Sequence, residues 1–123
     1  MPQRTALLIR CQPEDAAKIR HYAAVERRTV SGYVLNVLDK TLKVEDSLWE
    51  KLGRYQHFQD LTRVAARFPH HFGAYKTTFL IRCTREEAER IRVAAERRQL
   101  TISDFVMHSL QRFWSAAAGR QAP

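Results

Sequence analysis

Apolar and polar residues alternate in two short stretches of the chain, one near its start and one in its second half. The odd-numbered positions are apolar in both stretches, namely Leu7, Ile9 and Cys11 and then Phe79, Ile81 and Cys83. Successive side chains of a β-strand point to opposite faces, so a period of two is typical of a strand with one buried face. Each half of the chain is therefore expected to contain one short strand.

Helical spacing follows each predicted strand. The first helix opens with Pro13, which suits a first helical position, and its counterpart opens with Thr84 and Glu87, which form a capping box. Apolar residues then recur at spacings of three and four, as Ala16, Ile19 and Ala23 in one helix and Ala88, Ile91 and Ala95 in the other. This spacing predicts a helix with a narrow buried stripe.

A second helix is expected in each half after a short polar turn. The turns are Thr29-Val30-Ser31 and Thr101-Ile102-Ser103, which contain residues favoured at helix N-caps. The apolar positions that follow are Val34, Leu35, Leu38 and Leu42 in one half and Phe105, Val106, Leu110 and Trp114 in the other. Between the halves, residues 43–75 contain a further helical pattern, for which Ser47 and Glu50 predict a capped start.

The two halves are copies of one sequence. Residues 5–11 align with residues 77–83, and the same offset holds without a gap to Leu38 and Leu110. Identical pairs along this alignment include Glu14/Glu86, Ile19/Ile91, Arg20/Arg92, Thr29/Thr101 and Ser31/Ser103. Each copy has about forty residues, close to the size below which a domain usually needs a partner. Because one copy supplies only one strand, the two strands are expected to pair with each other.

Charge and composition narrow the classes of partner. The chain has 123 residues, a formal net charge of +8 and a pI near 10.1, which favours a polyanionic partner. The sequence has no signal peptide and no apolar run long enough to span a bilayer, so a cytoplasmic protein with no membrane partner is expected. It also lacks metal-ligand spacing, a catalytic set and a glycine-rich phosphate loop. We therefore expect neither an enzyme nor a bound metal or cofactor.

The order of these motifs resembles the MetJ/Arc/CopG ribbon-helix-helix superfamily. In both copies an alternating strand leads through an arginine and a glutamate into an amphipathic helix, a Thr-x-Ser turn and a second apolar helix. The resemblance implies two ribbon-helix-helix repeats, residues 4–42 and 76–115, joined by a helical connector, residues 43–75. It implies a mostly α fold with one short two-stranded antiparallel β-ribbon, in which a single chain forms an intramolecular pseudo-dimer. The tandem arrangement is also similar to relaxosome proteins of the TraY kind.

The resemblance implies a set of residues that contact DNA bases. In the superfamily the ribbon lies in the major groove of double-stranded DNA. The outward strand residues that match are Ala6, Leu8 and Arg10 and, in the second copy, Thr78, Leu80 and Arg82. Arg10 and Arg82 are the strongest candidates, because a guanidinium can donate two hydrogen bonds to O6 and N7 of guanine. Leu8 and Leu80 depart from the superfamily, which commonly has a polar residue there, since an aliphatic side chain can contact only a thymine methyl group.

The resemblance also implies phosphate contacts at the start of the second helix of each repeat. A helix N-terminus offers N–H groups and a partial positive charge to an anion, and hydroxyl groups add hydrogen bonds. The matching positions are Thr29, Val30 and Ser31 and, in the second copy, Thr101, Ile102 and Ser103. Such contacts position a protein on DNA without specifying a sequence.

Three functions are compatible with this reading. The first is a sequence-selective transcriptional repressor, and the second is an accessory protein that binds a plasmid transfer origin. The third is an antitoxin-like protein-interaction module, in which the ribbon or the connector holds a partner protein such as a toxin and Leu8 and Leu80 form an apolar contact. A second copy of the chain is a further possible partner in each case. Because Ala6 aligns with Thr78, a DNA target is expected to have two unequal half-sites. Antiparallel pairing centred near Leu8 and Leu80 would also place Cys11 and Cys83 at opposite ends of the ribbon, with no disulfide between them.

Overall fold

In the computed structural model, residues 3–55 and 75–121 are described. They form, in chain order, the strand β1 (Arg4–Cys11), the helices α1 (Pro13–Val25) and α2 (Val30–Tyr55), the strand β2 (Thr77–Thr84) and the helices α3 (Arg85–Arg97) and α4 (Ile102–Gln121). The two strands make one antiparallel sheet. Over these residues, the expectation of a mostly helical chain with one two-stranded antiparallel ribbon is confirmed.

The ribbon formed by β1 and β2 is centred on Leu8, which lies opposite Leu80. This is the register expected from the repeat. Cys11 pairs with Thr77 and Cys83 pairs with Thr5, so the two cysteines lie at opposite ends of the ribbon, where both are free and buried. Burial raises the pKa of both thiols, which keeps them protonated near neutral pH.

The inner face of the ribbon shares one core with all the described helices. Ile9 and Ile81 are fully buried on the ribbon side, and the stripes predicted on α1 and α3 face them. The second helices contribute buried residues that include Val34, Leu38, Leu42, Phe105, Val106, Leu110 and Trp114. Residues from both repeats therefore belong to a single apolar cluster, as the small size of each repeat requires.

Tyr33 and Trp114 join α2 to α4 inside this core. The indole Nε1 of Trp114 donates a hydrogen bond of 2.8 Å to the Tyr33 hydroxyl. The ring of Tyr22, on α1, stacks on Tyr33 with ring centroids 6.2 Å apart. Burial raises the pKa of Tyr33, so its hydroxyl remains a neutral acceptor for the indole. These rings fill the space between three helices without leaving a buried polar group unpaired.

The first helix of each repeat begins as the sequence predicts and ends in a left-handed turn. Pro13 lies in the first turn of α1, and Thr84 forms the capping box of α3 with Glu87. After the helices end, Arg27 and Gln99 have φ angles of 55° and 58°. Backbone N–H groups that follow each helix donate to carbonyl oxygens in its last turn, and this pattern makes both helix ends Schellman turns. Glycine is the usual residue at such a position, because a Cβ makes a positive φ less favourable.

Helix α2 is longer than the repeat predicts. It runs for 26 residues without a break, from Val30 to Tyr55. The separate connector helix expected to start at Ser47 is therefore the continuation of α2, and the boundary expected at residue 43 lies inside this helix. Residues 43–46 contain neither glycine nor proline, so no helix-breaking residue follows Leu42. The remainder of the predicted connector, residues 56–74, lies outside the described residues.

A buried ion pair holds the added turns of α2 against the end of α3. The Nε of Arg98 donates to the two carboxylate oxygens of Glu45 at 2.9 and 3.1 Å, and both side chains are 5% exposed. Trp49 Nε1 donates to the same carboxylate at 2.9 Å, and its ring lies 5.7 Å from Cζ of Arg98. At the surface, Arg90 adds a pair with Asp46 at 3.3 Å. The buried pair of Glu45 and Arg98 has no counterpart in the other repeat, where Glu26 aligns with Arg98 and Ala117 with Glu45.

Replacing Gln99 with glycine is expected to stabilise the fold by about 0.5–1 kcal/mol, because glycine adopts a positive φ without a steric penalty. The matched control is Gln99→Ala, which keeps the Cβ and should give no stabilisation. Urea unfolding followed by circular dichroism measures both variants. Equal stabilities for the glycine and alanine variants would contradict the proposed strain at this turn.

Removing one partner of the buried ion pair, by Glu45→Leu or Arg98→Met, is expected to lower the free energy of unfolding by about 3–5 kcal/mol, since the other charge stays buried alone. The double variant should recover most of this loss. Arg90→Met removes a partner of the exposed pair with Asp46 and should cost less than about 1 kcal/mol. These variants are compared by urea unfolding, and strictly additive losses in the double variant would argue against a coupled pair.

Candidate nucleic-acid interface

The outer side of the ribbon brings together all the residues expected to contact bases. Their side chains point away from the core in three cross-strand rows: Ala6 opposite Arg82, Leu8 opposite Leu80, and Arg10 opposite Thr78. Every one of them is exposed. A local two-fold relation centred on the leucine pair exchanges the row of Arg10 with the row of Arg82. The two arginines therefore lie at diagonally opposite corners of this surface.

Two further cations, absent from the sequence-based prediction, extend this surface. Arg4 is the first residue of β1, opposite Thr84, and Lys76 immediately precedes β2. Both are exposed. The signal lies in the repeat itself, because Arg4 and Lys76 are equivalent positions just before the aligned threonines of the two strands. We call the outward residues 4, 6, 8, 10, 76, 78, 80 and 82 the ribbon face.

The ribbon face is basic towards its ends and apolar at its centre. It carries four cations, Arg4, Arg10, Lys76 and Arg82, and no carboxylate. Leu8 and Leu80 lie in the middle, with 55% and 47% of their surface exposed. A surface with this charge attracts a polyanion and repels a basic partner. The two leucines add an apolar element that water solvates poorly.

The second helix of each repeat begins beside the ribbon. Thr29 Oγ1 accepts a hydrogen bond of 3.0 Å from the backbone N–H of Gly32 at the start of α2. Thr101 Oγ1 accepts an equivalent bond of 3.1 Å from Asp104 at the start of α4. The predicted N-caps are therefore confirmed. Val30 and Ile102 pack against the core with their side chains, so any phosphate contact at these two positions would come from the backbone.

Ser31 and Ser103 connect these helix starts to the ribbon. The Ser103 hydroxyl accepts a hydrogen bond of 2.9 Å from the backbone N–H of Arg10, and the Ser31 hydroxyl accepts one of 2.8 Å from that of Arg82. Each serine thus binds the strand of the other repeat, along the edge that does not face the partner strand. These hydroxyls have a structural role that the sequence did not predict. They fix each helix start next to one of the two arginines.

The two helix starts differ in charge. The first turn of α4 contains the carboxylate of Asp104, which is 6% exposed and accepts a hydrogen bond from the Tyr75 hydroxyl. Burial and this carboxylate raise the pKa of Tyr75. The first turn of α2 has no acidic residue, and Gly32 stands at the position equivalent to Asp104. The positive end of α4 is therefore neutralised in part by the protein itself, whereas that of α2 is not.

Comparison of the chain with protein-family models, with curated proteins and with solved structures finds no match to any of them. In the described part of the chain, no helix is both long and apolar enough to cross a membrane. The same residues bring together no group of three or more His, Cys, Asp or Glu that could hold a metal ion.

Proposed function

We propose that this protein binds double-stranded DNA in a sequence-selective way and acts as a transcriptional repressor, with the β-ribbon inserted in the major groove. The observation that carries the proposal is the ribbon face, where both arginines project outward from the two-stranded ribbon and no carboxylate accompanies them. A two-stranded ribbon fits the major groove, which is about 12 Å wide. In this proposal the two repeats form an intramolecular ribbon-helix-helix pseudo-dimer.

The arginines are held in a way that suits base contacts. Their backbone N–H groups are bound by Ser31 and Ser103, so the strand under each guanidinium cannot shift freely relative to the helices. Arg10 and Arg82 would each donate two hydrogen bonds to a guanine. Arg4 and Lys76, towards the ends of the face, would contact phosphates that border the groove. Phosphate contacts of this kind supply salt-sensitive affinity without sequence preference.

The helix starts would anchor the DNA backbone on both sides of the ribbon. Because each start is tied by a serine to the strand of the other repeat, a phosphate bound there would have a fixed position relative to an inserted arginine. The α2 start would be the stronger anchor, since Asp104 already supplies a negative charge to the start of α4. The DNA backbone would therefore be held more tightly on the α2 side of the ribbon than on the α4 side.

One observation favours a second candidate function. Leu8 and Leu80 expose a contiguous apolar pair at the centre of the ribbon, and such a pair can form the centre of a protein interface. In that case the protein would be an interaction module of the antitoxin kind. The four cations of the ribbon face would then require an acidic partner surface. An accessory role at a plasmid transfer origin would use the same DNA-binding surface as a repressor.

Replacing Arg10 and Arg82 with alanine is expected to abolish sequence selectivity. Each arginine should account for about 5- to 150-fold in affinity for a site selected from random duplexes, as one bidentate arginine–guanine contact contributes about 1–3 kcal/mol. Affinity for random DNA should fall much less. Fluorescence anisotropy over a salt series measures both.

The matched control for this experiment is Arg20→Ala with Arg92→Ala. It removes the same charge from equivalent, exposed positions on α1 and α3, and it should weaken binding to selected and random DNA alike. If both double variants behave in the same way, the protein is a non-specific basic binder. If the wild-type protein binds no DNA, the interaction module becomes the better explanation.

Adding a carboxylate to the start of α2 by Gly32→Asp is expected to weaken duplex binding by about 2- to 5-fold, because it opposes the phosphate at the helix N-terminus. Gly32→Ala is the steric control, since a Cβ at this position would lie 3.0 Å from Thr29 Oγ1. Asp104→Asn should strengthen binding by a similar factor. Anisotropy at low salt measures the three variants, and an Asp104→Asn variant with unchanged affinity would show that the α4 start does not contact phosphate.

A further inference from the structure

The central row of the ribbon face has an unusual composition for an exposed strand surface. Leu8 and Leu80 lie opposite each other, half exposed, between rows that contain the two arginines. The N–H groups of Arg10 and Arg82 bind serine hydroxyls on the outer edges of the strands. The outward rows are therefore the non-hydrogen-bonded rows of the ladder, in which opposite side chains approach most closely. The two leucines thus form one apolar ridge at the local two-fold relation.

We propose that this leucine ridge recognises thymine methyl groups at the centre of the DNA target, which is flanked on each side by a guanine bound by Arg10 or Arg82. The inference rests on the proposed function, and it adds the base composition of the site. Thymine is the base that presents an apolar group to the major groove. The other base edges present hydrogen-bonding groups there, which a leucine would cover without replacing their hydrogen bonds to water. The ridge therefore favours thymine and disfavours a G·C pair.

The register of the ribbon sets the spacing within this target. Arg10 and Arg82 each lie two residues from the leucine pair, in opposite directions along the ribbon. Four strand steps correspond to about 14 Å, which matches about four base-pair steps at 3.4 Å each. The local two-fold relation places the two guanines on opposite DNA strands. The expected site is thus a short pseudo-palindrome, with two guanines that enclose an A·T core.

The two halves of this site should differ at the base pairs beside the guanines. The residues that share a row with the arginines are Ala6, opposite Arg82, and Thr78, opposite Arg10. Alanine offers only a methyl group to the groove, whereas the threonine hydroxyl can also donate or accept a hydrogen bond. The base pairs beside the two guanines are therefore expected to differ between the half-sites, while the core and the guanines are shared.

The test begins with selection of preferred sites from random duplex DNA by the full chain. Thymines in the core of the selected site are then replaced by uracil, which keeps every hydrogen-bonding group and lacks only the methyl group. We expect affinity to fall by about 4-fold for each contacted methyl group, the amount that corresponds to one buried methylene. Uracil at positions outside the guanines serves as the DNA control and should have no effect.

The protein control is the double variant Leu8→Ala with Leu80→Ala. Both side chains are exposed, so the variant should fold, which circular dichroism verifies. It should bind the thymine and uracil duplexes with equal affinity and retain its dependence on the two guanines. Sensitivity of the wild type to uracil, lost in this variant, supports the proposal.

Two other outcomes overturn the proposal in distinguishable ways. If the wild type requires the guanines and Arg10 and Arg82 but tolerates uracil in the core, or selects a core without thymine, the leucine ridge does not recognise methyl groups and the proposed function stands. If the protein selects no sequence, or if binding is unaffected by the arginine variants, the proposed function fails and this inference fails with it.

Discussion

The pairing of β1 with β2 is the interaction on which the rest of the molecule depends. Each repeat contributes one strand, and among the described residues each strand has only the other as its ladder partner. An isolated strand would leave a row of backbone N–H and C=O groups unpaired, and it would form no sheet against which the helices could pack. The sheet face that buries Ile9 and Ile81 therefore exists only when the two repeats are joined. The same pairing sets the cross-strand rows and thus the positions of both arginines on the ribbon face.

The helices stabilise this ribbon and limit how it can be used. Serines at the starts of α2 and α4 bind the outer strand edges, which would otherwise be free to pair with another chain. The core then fixes α2 and α4 through contacts such as Trp114 with Tyr33. As a result, the outward face remains as the accessible side of the ribbon. In the proposed function, this face enters the groove as a rigid unit, with little ordering cost on binding.

Much of this arrangement could be predicted from the sequence, because the repeat and the alternation constrain each other. The offset between the copies gave the register, and the parity of the strand residues gave the face on which Arg10 and Arg82 lie. Arg4 and Lys76 were missed because strand ends have weak local signals. The Glu45–Arg98 pair joins residues 53 positions apart and has no equivalent in the repeat, so no periodicity could reveal it. Arg27 and Gln99 gave no glycine signal at their left-handed turns, and Tyr75 meets Asp104 only through tertiary packing.

The presence of both repeats in one chain has a consequence for how such a protein can evolve and assemble. A ribbon made from two separate chains exists only above the concentration at which the chains associate, whereas here the second strand is always supplied at the effective concentration set by its tether. Every substitution in a homodimer also appears twice, once in each subunit. In this chain a carboxylate stands at Asp104 while its equivalent remains Gly32, and Glu45 pairs with Arg98 on one side alone. Covalent linkage therefore allows each half to acquire its own substitutions, and it keeps the two halves together at any protein concentration.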